Sequence, residues 1–125
     1  APVYIHGCGE QLRFAPDHQI GSCKNCCAEK HPEVFDDVGV ALLRGIPEGS
    51  LVLLDEIGVM EEAAKKFTAR LFELLDGNYR VIAAVRDRST PLLDDIRAHA
   101  KSVNVSAKEA NTLEFVAHAR EILRL

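Results

Sequence analysis

The sequence predicts an α/β fold with a mostly parallel sheet, and two patterns support this prediction. Short continuous apolar runs, typical of strands covered on both faces, alternate with stretches whose apolar residues recur every three or four positions. The composition is that of a globular protein, because 47% of the 125 residues are hydrophobic and 27% are charged. Strands that alternate with helices imply parallel pairing, and such sheets bind ligands beyond the carboxyl ends of their strands.

The chain is predicted to form a single α/β domain, residues 1–125, with two parts. Residues 1–31 contain strand-like pieces at 3–5 and 11–14, followed by the polar, cysteine-rich stretch GSCKNCCAEKH. This part predicts a hairpin followed by a loop. Residues 32–125 carry the regular pattern of a β/α core.

The first half of the core predicts a helix, a strand and a second helix. Residues 34–43 show helical spacing, and that helix ends before Pro47. The apolar run at residues 51–54 predicts a buried strand. Helical spacing then resumes over residues 60–75 and ends at Asp-Gly-Asn, residues 76–78.

The second half of the core predicts a strand, a helix, a strand and a last helix. Residues 81–85 repeat the buried-strand pattern, and Thr90 followed by proline opens a short helix. Residues 103–105 predict a third strand. Ser106 with Glu109 forms a capping box for the last helix.

Charge and hydropathy indicate which partners and which cellular location to expect. The net charge of −4 gives no general attraction to nucleic acid or to an anionic membrane. No apolar run reaches the roughly 18 residues of a membrane span, and the first residues lack the cationic and hydrophobic pattern of a signal peptide. These features predict a cytoplasmic protein with no nucleic-acid or membrane partner.

Two adjacent acids, Asp55 and Glu56, stand where the strand over residues 51–54 is expected to end. Close carboxylates repel each other and resist burial, so the pair indicates that a cation is expected there. Because Mg²⁺ takes oxygen ligands, Asp55 could hold this ion while Glu56 orients or deprotonates an attacking water. The alternative is that both acids face solvent at the beginning of a helix, where the helix dipole favours negative charge.

Arg86 directly follows the strand predicted at residues 81–85. Its guanidinium could therefore reach a phosphate at the same edge of the sheet and offset developing charge. The alternatives are that Arg86 pairs with a nearby acid such as Asp87 or stays in water.

The cysteines offer a second candidate metal site, because thiolate and imidazole groups are the ligands that Zn²⁺ prefers. The sequence contains one C-x-x-C pair, whereas many structural zinc sites use two. Reduced thiols in a polar loop of a cytosolic protein explain the same cluster. The candidate Zn²⁺ ligands are Cys8, Cys23, Cys26 and Cys27, with His6 and His31 nearby.

The string DEIGVMEEAAKKF, which begins at Asp55, resembles the second acidic motif (the Walker B motif) of the nucleoside-triphosphatase family of the thermophilic archaeal type. The typical form in this P-loop NTPase family is Asp-Glu-Ile-Gly-x-Met-Glu, with a phenylalanine six residues after the last acid. Glu61 and Phe67 occupy those two positions here. The segments PEVFDDVGVALLR, YRVIAAVRDR and LDDIRAHAKSVNVS resemble the flanking elements, so the resemblance covers about residues 32–123.

The resemblance implies a nucleoside-triphosphate phosphohydrolase that releases the γ-phosphate in a Mg²⁺-dependent reaction. It also implies a three-layer, mostly parallel sheet of the RecA-like kind. Under this interpretation Asp55 binds Mg²⁺, Glu56 orients water, and Arg86 assists catalysis. Gly58, with the two acids, belongs to the site for the ATP-like nucleotide.

Two departures from the family pattern affect this expectation. No lysine follows any of the eight glycines, so the Walker A loop G-x-x-x-x-G-K-[ST], which holds phosphates, is absent from these residues. Where the family has Asn-Arg-Asp, this chain has Glu109, Ala110 and Asn111. We therefore expect a fragment of a longer NTPase or a degenerate relative, with weak or no activity in isolation.

The missing loop also has a structural consequence, because the strand before it would lie near the middle of the sheet. An N-terminal segment or a second copy of the chain is expected to complement the remaining strands. Two non-enzymatic alternatives stay open. One is a binding module that recognises a protein through the cysteine-rich loop, with or without bound zinc. The other is a structural relative that covers its sheet by forming a homo-oligomer.

Overall fold

A computed structural model describes residues 2–5, 7, 15–24 and 27–125, with the backbone alone for residues 2–4, 24, 27 and 28. The described elements form one antiparallel and one parallel sheet with helices. In chain order they are β1 (Pro2–Tyr4), a 3₁₀ turn (Pro16–His18), β2 (Gln19–Lys24), β3 (Cys27–Lys30), α1 (Pro32–Val34), a π-helical turn (Phe35–Gly39), α2 (Val40–Arg44), β4 (Leu51–Ile57), α3 (Lys65–Asp76), β5 (Arg80–Val85), α4 (Pro91–Ala98), α5 (Ala107–Ala110) and α6 (Leu113–Leu123).

The N-terminal sheet has the strand order β1-β2-β3, and both pairs are antiparallel. The predicted loop is wrong here, because the cysteine-rich stretch supplies strands β2 and β3. The pairing of β2 with β3 runs from Gly21 opposite Lys30 to Lys24 opposite Cys27. A Cβ at Gly21 would stand 2.3 Å from the carbonyl oxygen of Glu29, so this strand pairing requires glycine. The strand predicted at residues 11–14 lies outside the described residues.

The second sheet pairs β4 with β5 in parallel, which confirms the predicted α/β class with a parallel sheet. Val52 lies opposite Val81, and Leu53 lies opposite Ile82. Helix α3 makes the connection between the two strands, because parallel strands cannot be joined by a tight turn.

Helices α2, α3 and α4 supply the core that covers one face of this strand pair. One cluster joins Val52 to the α1–α2 region and to α3, and the other joins Ile57 to α3 and α4. Each fully buried leucine stabilises the fold by about 1.5–3 kcal/mol relative to an exposed one. The leucines with no appreciable exposure are Leu71, Leu74 and Leu93.

The beginning of α3 is held by a residue from the π-helical turn. The N-cap residue, Ala64, has no side chain that can cap the helix. Instead, Asp36 Oδ1 accepts a hydrogen bond of 3.0 Å from the backbone N–H of Phe67. Gly39 packs directly against the Phe67 ring, where a Cβ would stand 2.8 Å from a ring carbon. The π-helical turn therefore packs against the beginning of α3 and caps one backbone N–H of its first turn.

The opposite face of the β4–β5 pair carries exposed apolar side chains. Leu53 is 68% exposed and its partner Ile82 is 45% exposed. Helix α6 contributes no buried residue, and Leu113 at its first position is 88% exposed. No helix in the described part of the chain is long and apolar enough to cross a membrane.

The C-terminal predictions were partly wrong. Residues 103–105 form no strand, and Val103 is exposed. Ser106 does accept a hydrogen bond from the N–H of Glu109, but the helix that it caps ends at Ala110. A second cap, Thr112, then begins α6. The predicted cap at Thr90 is confirmed, since its side chain accepts a 3.2 Å hydrogen bond from the N–H of Leu93.

Candidate functional site

The acidic pair lies within the last residues of β4. We expected Asp55 and Glu56 to follow the strand at the entrance of a helix, but β4 continues to Ile57 and α3 begins only at Lys65. The helix dipole therefore does not explain these two acids. Both carboxylate side chains are exposed at the carboxyl end of a parallel strand, which is the edge where such sheets bind ligands.

An irregularity in strand pairing explains why both acids face solvent. Leu54 pairs with Ala83 and Ile57 pairs with Val85, so three steps along β4 match two steps along β5. This extra residue is a β-bulge, which breaks the alternation of side chains between the two faces of a sheet. In a regular strand, one of two adjacent acids would point toward the helices. The bulge lets both remain in solvent while Ile57 is buried.

Arg86 lies beside the acidic pair. Its backbone N–H donates a 2.9 Å hydrogen bond to the carbonyl of Ile57, which continues the strand pairing by one residue. Its Nη1 atom lies 3.6 Å from Glu56 Oε1, and both side chains are more than half exposed. Among the alternatives for Arg86, pairing with an acid is therefore observed, although the acid is Glu56 rather than Asp87. An exposed pair of this kind contributes about 0–1 kcal/mol, so both groups can reach a ligand at little cost.

Arg97 of α4 holds the loop that carries Arg86. Its Nη2 atom donates a 2.5 Å hydrogen bond to the carbonyl of Arg86, and its Nη1 atom donates a 2.8 Å bond to the carbonyl of Arg88. Asp94, one turn earlier on α4, accepts a further bond of 3.3 Å. Sequence reasoning missed this residue because its partners are backbone carbonyls in another segment.

Gly58 lies directly beneath the Glu56–Arg86 pair. A Cβ on this buried residue would stand 3.4 Å from Glu56 Oε1 and 3.7 Å from Arg86 Cδ. These distances show that both charged side chains lie in contact range of the Gly58 backbone. Its N–H donates to the Glu61 carboxylate.

Glu61 is a buried acid, with 4% of its surface exposed. Its pKa lies above the ordinary value of 4.5, chiefly because burial disfavours the charged carboxylate. The negative charges of Glu56 and Glu62 raise the pKa further, whereas backbone N–H donors from Gly58 and from Glu61 itself oppose the rise. The motif string contained this residue, but its burial could not be predicted from the string.

The exposed carboxylates fit the ligand chemistry of Mg²⁺, which prefers hard oxygen donors and keeps several waters. Asp55 and Glu56 supply such oxygens at the open edge of the sheet. Across the described residues, no group of three or more histidine, cysteine or acidic side chains is arranged to hold a metal ion. Water and ligand oxygens would therefore complete the coordination shell.

The structure gives no support to the predicted zinc site. Cys8 and Cys26 lie outside the described residues, as does the side chain of Cys27, while Cys23 is exposed on β2. Both ring nitrogens of His31 lie within hydrogen-bonding distance of other groups. These are the carbonyl of Gln19 at 3.1 Å and the carboxylate of Glu29 at 3.2 Å.

Comparison with known proteins identifies a family for the segment that contains these residues. A family model described as "NTPase" matches residues 9–117. The nucleoside-triphosphatase THEP1 of Thermofilum pendens is 36% identical over 61 residues, which are 48% of this chain and 34% of that protein. The proteins of the same name from Thermotoga petrophila and Thermotoga maritima are each 31% identical over 78 residues, or 62% of this chain.

The matched segment covers 44% of the Thermotoga petrophila protein and 45% of the Thermotoga maritima protein. The chain thus spans less than half the length of the relatives that it matches. No solved structure matches the chain significantly. Because the family model covers most of the residues, including the acidic pair, the chain belongs to this NTPase family.

Proposed function

We propose that this chain is part of a nucleoside-triphosphatase that hydrolyses the γ-phosphate of its substrate at the carboxyl end of β4. One observation carries the proposal. The β-bulge exposes Asp55 and Glu56 together at the ligand-binding edge of a parallel strand pair, and Arg86 lies 3.6 Å from Glu56. Membership of the NTPase family and similarity to three nucleoside-triphosphatases support the same activity.

In this mechanism the two acids have different tasks. Asp55 would hold Mg²⁺, which when bound neutralises charge on the phosphate oxygens. Glu56 orients the attacking water and accepts its proton, since an exposed carboxylate at hydrogen-bonding reach can act as a general base. Gly58 lies next to both charged side chains and forms part of the surface that the nucleotide would approach.

Arg86 stabilises the negative charge that develops on the transferred phosphate. Its planar guanidinium can bond two phosphate oxygens at once. In the observed structure it pairs with Glu56, so this pair must separate or share the ligand when phosphate arrives. The cost is about 0–1 kcal/mol, because the pair is exposed to water. Before substrate binds, Arg86 and Glu56 thus lie side by side at the site.

We propose that the phosphate-binding loop comes from an N-terminal segment of a longer protein, in which residues 1–125 form part of an α/β domain. The exposed apolar face of β4 and β5, with Leu53 and Ile82, is the surface that such a segment would cover. A helix on this face, together with a strand that pairs at an edge of the sheet, would complete the three-layer RecA-like arrangement. A second copy of the chain is the other possible cover, and the mass in solution distinguishes the two.

The test is Mg²⁺-dependent phosphate release from ATP by the full gene product that contains these residues. We expect Glu56→Gln to lower kcat by about 10²–10⁴-fold, because it removes the general base but keeps the shape of the side chain. Glu62→Gln, a loss of one carboxylate in the following loop, is the matched control and should leave kcat unchanged. Equal rates for the wild type and Glu56→Gln would refute the proposed role of Glu56.

A further inference from the structure

The buried carboxyl group of Glu61 is unusual in this protein. Of the polar and charged side chains that the structure describes, only His18 and Glu61 are buried. Burying a carboxylate is unfavourable unless hydrogen bonds compensate for the lost water. Glu61 has such compensation, since it accepts a hydrogen bond from the backbone N–H group of Gly58.

The hydrogen bond between the Gly58 N–H and the Glu61 carboxylate lies next to the Glu56–Arg86 pair of the candidate site. Gly58 follows Ile57, the residue whose carbonyl accepts the N–H of Arg86. Its α-carbon lies under both members of the charged pair, as the 3.4 Å and 3.7 Å distances from a hypothetical Cβ to Glu56 Oε1 and Arg86 Cδ show. Movement of this peptide would therefore shift the surface on which the Glu56 carboxylate rests.

The loop that carries Glu61 is itself anchored at two points. The carbonyl of Glu61 accepts a 2.9 Å hydrogen bond from the N–H of Ala64, just before α3. The sulfur of Met60 lies 3.3 Å from the point where a Cβ of Gly21 would stand, so it contacts β2. Glu61 thus links the end of β4 to a loop that is held by a hydrogen bond just before α3 and by a contact with β2.

We propose that Glu61 is a positioning residue for the hydrolytic step. Its carboxyl group fixes the Gly58 amide and thereby keeps the Glu56 carboxylate beside Arg86 at the edge of the sheet. Glu61 itself does not meet water or substrate, because it is buried. This inference rests on the proposed function, since a positioned Glu56 matters only if Glu56 acts on water.

The first test measures the bond itself in the 125-residue chain, without any nucleotide. Amide hydrogen exchange of Gly58 is followed by NMR in the wild type, Glu61→Ala and Glu61→Gln. We expect exchange at least tenfold faster in Glu61→Ala. Exchange in Glu61→Gln should stay near the wild-type rate, because glutamine keeps the acceptor oxygen. Unchanged exchange in Glu61→Ala would overturn the inference.

The second test measures ATP hydrolysis by the full gene product. We expect Glu61→Ala to lower kcat at least tenfold with KM within about twofold, and Glu61→Gln to restore kcat to within about threefold of the wild type. Glu62→Ala controls for the loss of a neighbouring charge. If Glu61→Ala does not fold, Glu61→Gln decides, because a loss as large as that of Glu56→Gln would contradict a role that needs only an acceptor.

The two proposals fail in different ways. Full activity in Glu61→Ala together with loss of activity in Glu56→Gln would refute the positioning role and leave the proposed function standing. Full activity in Glu56→Gln would refute the proposed function and, with it, any positioning of that residue for hydrolysis.

Discussion

The two faces of the β4–β5 pair differ sharply, although both are made of apolar residues. Val52 is 3% exposed and the next residue, Leu53, is 68% exposed. The first packs against the helices, whereas the second faces away from them with its partner Ile82. The face that packs against the helices therefore contributes most of the stability of this sheet. The opposite face is apolar but exposed, so it adds little to the stability of the described residues.

The comparison shows how a buried-strand pattern should be interpreted. A continuous apolar run predicts cover on both faces, yet the described residues cover only one face of residues 51–54. The described residues leave the second face of the strand pair exposed to solvent. The substitutions at Leu74 and Leu53 test this difference directly. Those at Asp36, Glu61 and Glu29 test interactions elsewhere in the fold and have smaller expected effects.

The largest difference in the free energy of unfolding is expected between a leucine under the packed face of β4–β5 and one on the exposed face. Leu74 is fully buried under the packed face, so Leu74→Ala should lower the free energy of unfolding by about 2–5 kcal/mol. Leu53→Ala is the matched substitution on the bare face and should change it by less than about 0.5 kcal/mol in this chain. Urea denaturation measures both.

The same two variants also test the proposal that a further segment covers the exposed face of β4 and β5. In the full gene product, a covering segment predicts that Leu53→Ala costs more than about 1 kcal/mol, because the side chain is then buried. A cost that stays below about 0.5 kcal/mol in the longer protein would show that Leu53 remains uncovered.

The cap on α3 should have the next largest effect, because the packed face depends on where this helix begins. Asp36→Ala removes the acceptor for the N–H of Phe67 and should destabilise the chain by about 0.5–2 kcal/mol. Asp37→Ala changes the exposed neighbouring acid and serves as the control. Similar unfolding midpoints for the two variants would show that the distant cap contributes nothing.

At Glu61 we expect a smaller effect on stability, and one that depends on pH. Because its pKa is raised by burial, its contribution to stability is fully present below 4.5 and is lost as pH rises through the folded-state value. The wild type should therefore lose stability relative to Glu61→Gln as pH increases from below 4.5. Urea midpoints of both proteins across this range check the sign. A difference that is independent of pH would contradict the raised pKa.

The smallest effect is expected at His31, on the surface between β3 and α1. The hydrogen bond with Glu29 raises the pKa of His31 above 6.5, with a further contribution from the carbonyl of Gln19. Its stabilising contribution is present below 6.5 and is lost as pH rises through the folded-state pKa. Glu29→Gln should lower the His31 pKa, and Glu33→Gln is the control for a more distant charge. NMR titration of the imidazole signals measures both.

Much of the fold followed from local patterns in the sequence. The helical spacing over residues 34–43, the runs at 51–54 and 81–85, and the cap at Thr90 all correspond to observed elements. These patterns depend on interactions between residues that are close in the chain, so sequence spacing carries the information. The same is true of the acidic motif, whose residues belong to one short string and indicated the NTPase family.

Tertiary structure decided where those elements end and how the site is arranged. The strand predicted at 103–105 is absent, which is consistent with the rule that a β-strand needs a neighbouring strand to pair with its backbone. The bulge that exposes both acids depends on pairing between β4 and β5. The ion pair with Arg86 brings together residues from those two strands. Burial of Glu61 depends on how the loop between β4 and α3 packs in the folded chain.

The sequence by itself thus determined the chemical groups of the candidate site and the alternation of strands and helices, because both are local properties of the chain. Only the tertiary structure decided that Asp55 and Glu56 face solvent together and that Glu61 accepts a hydrogen bond from the Gly58 N–H. It also decided that the described residues leave one face of the strands exposed. Those properties depend on contacts between distant segments, and such contacts exist only after the chain has folded.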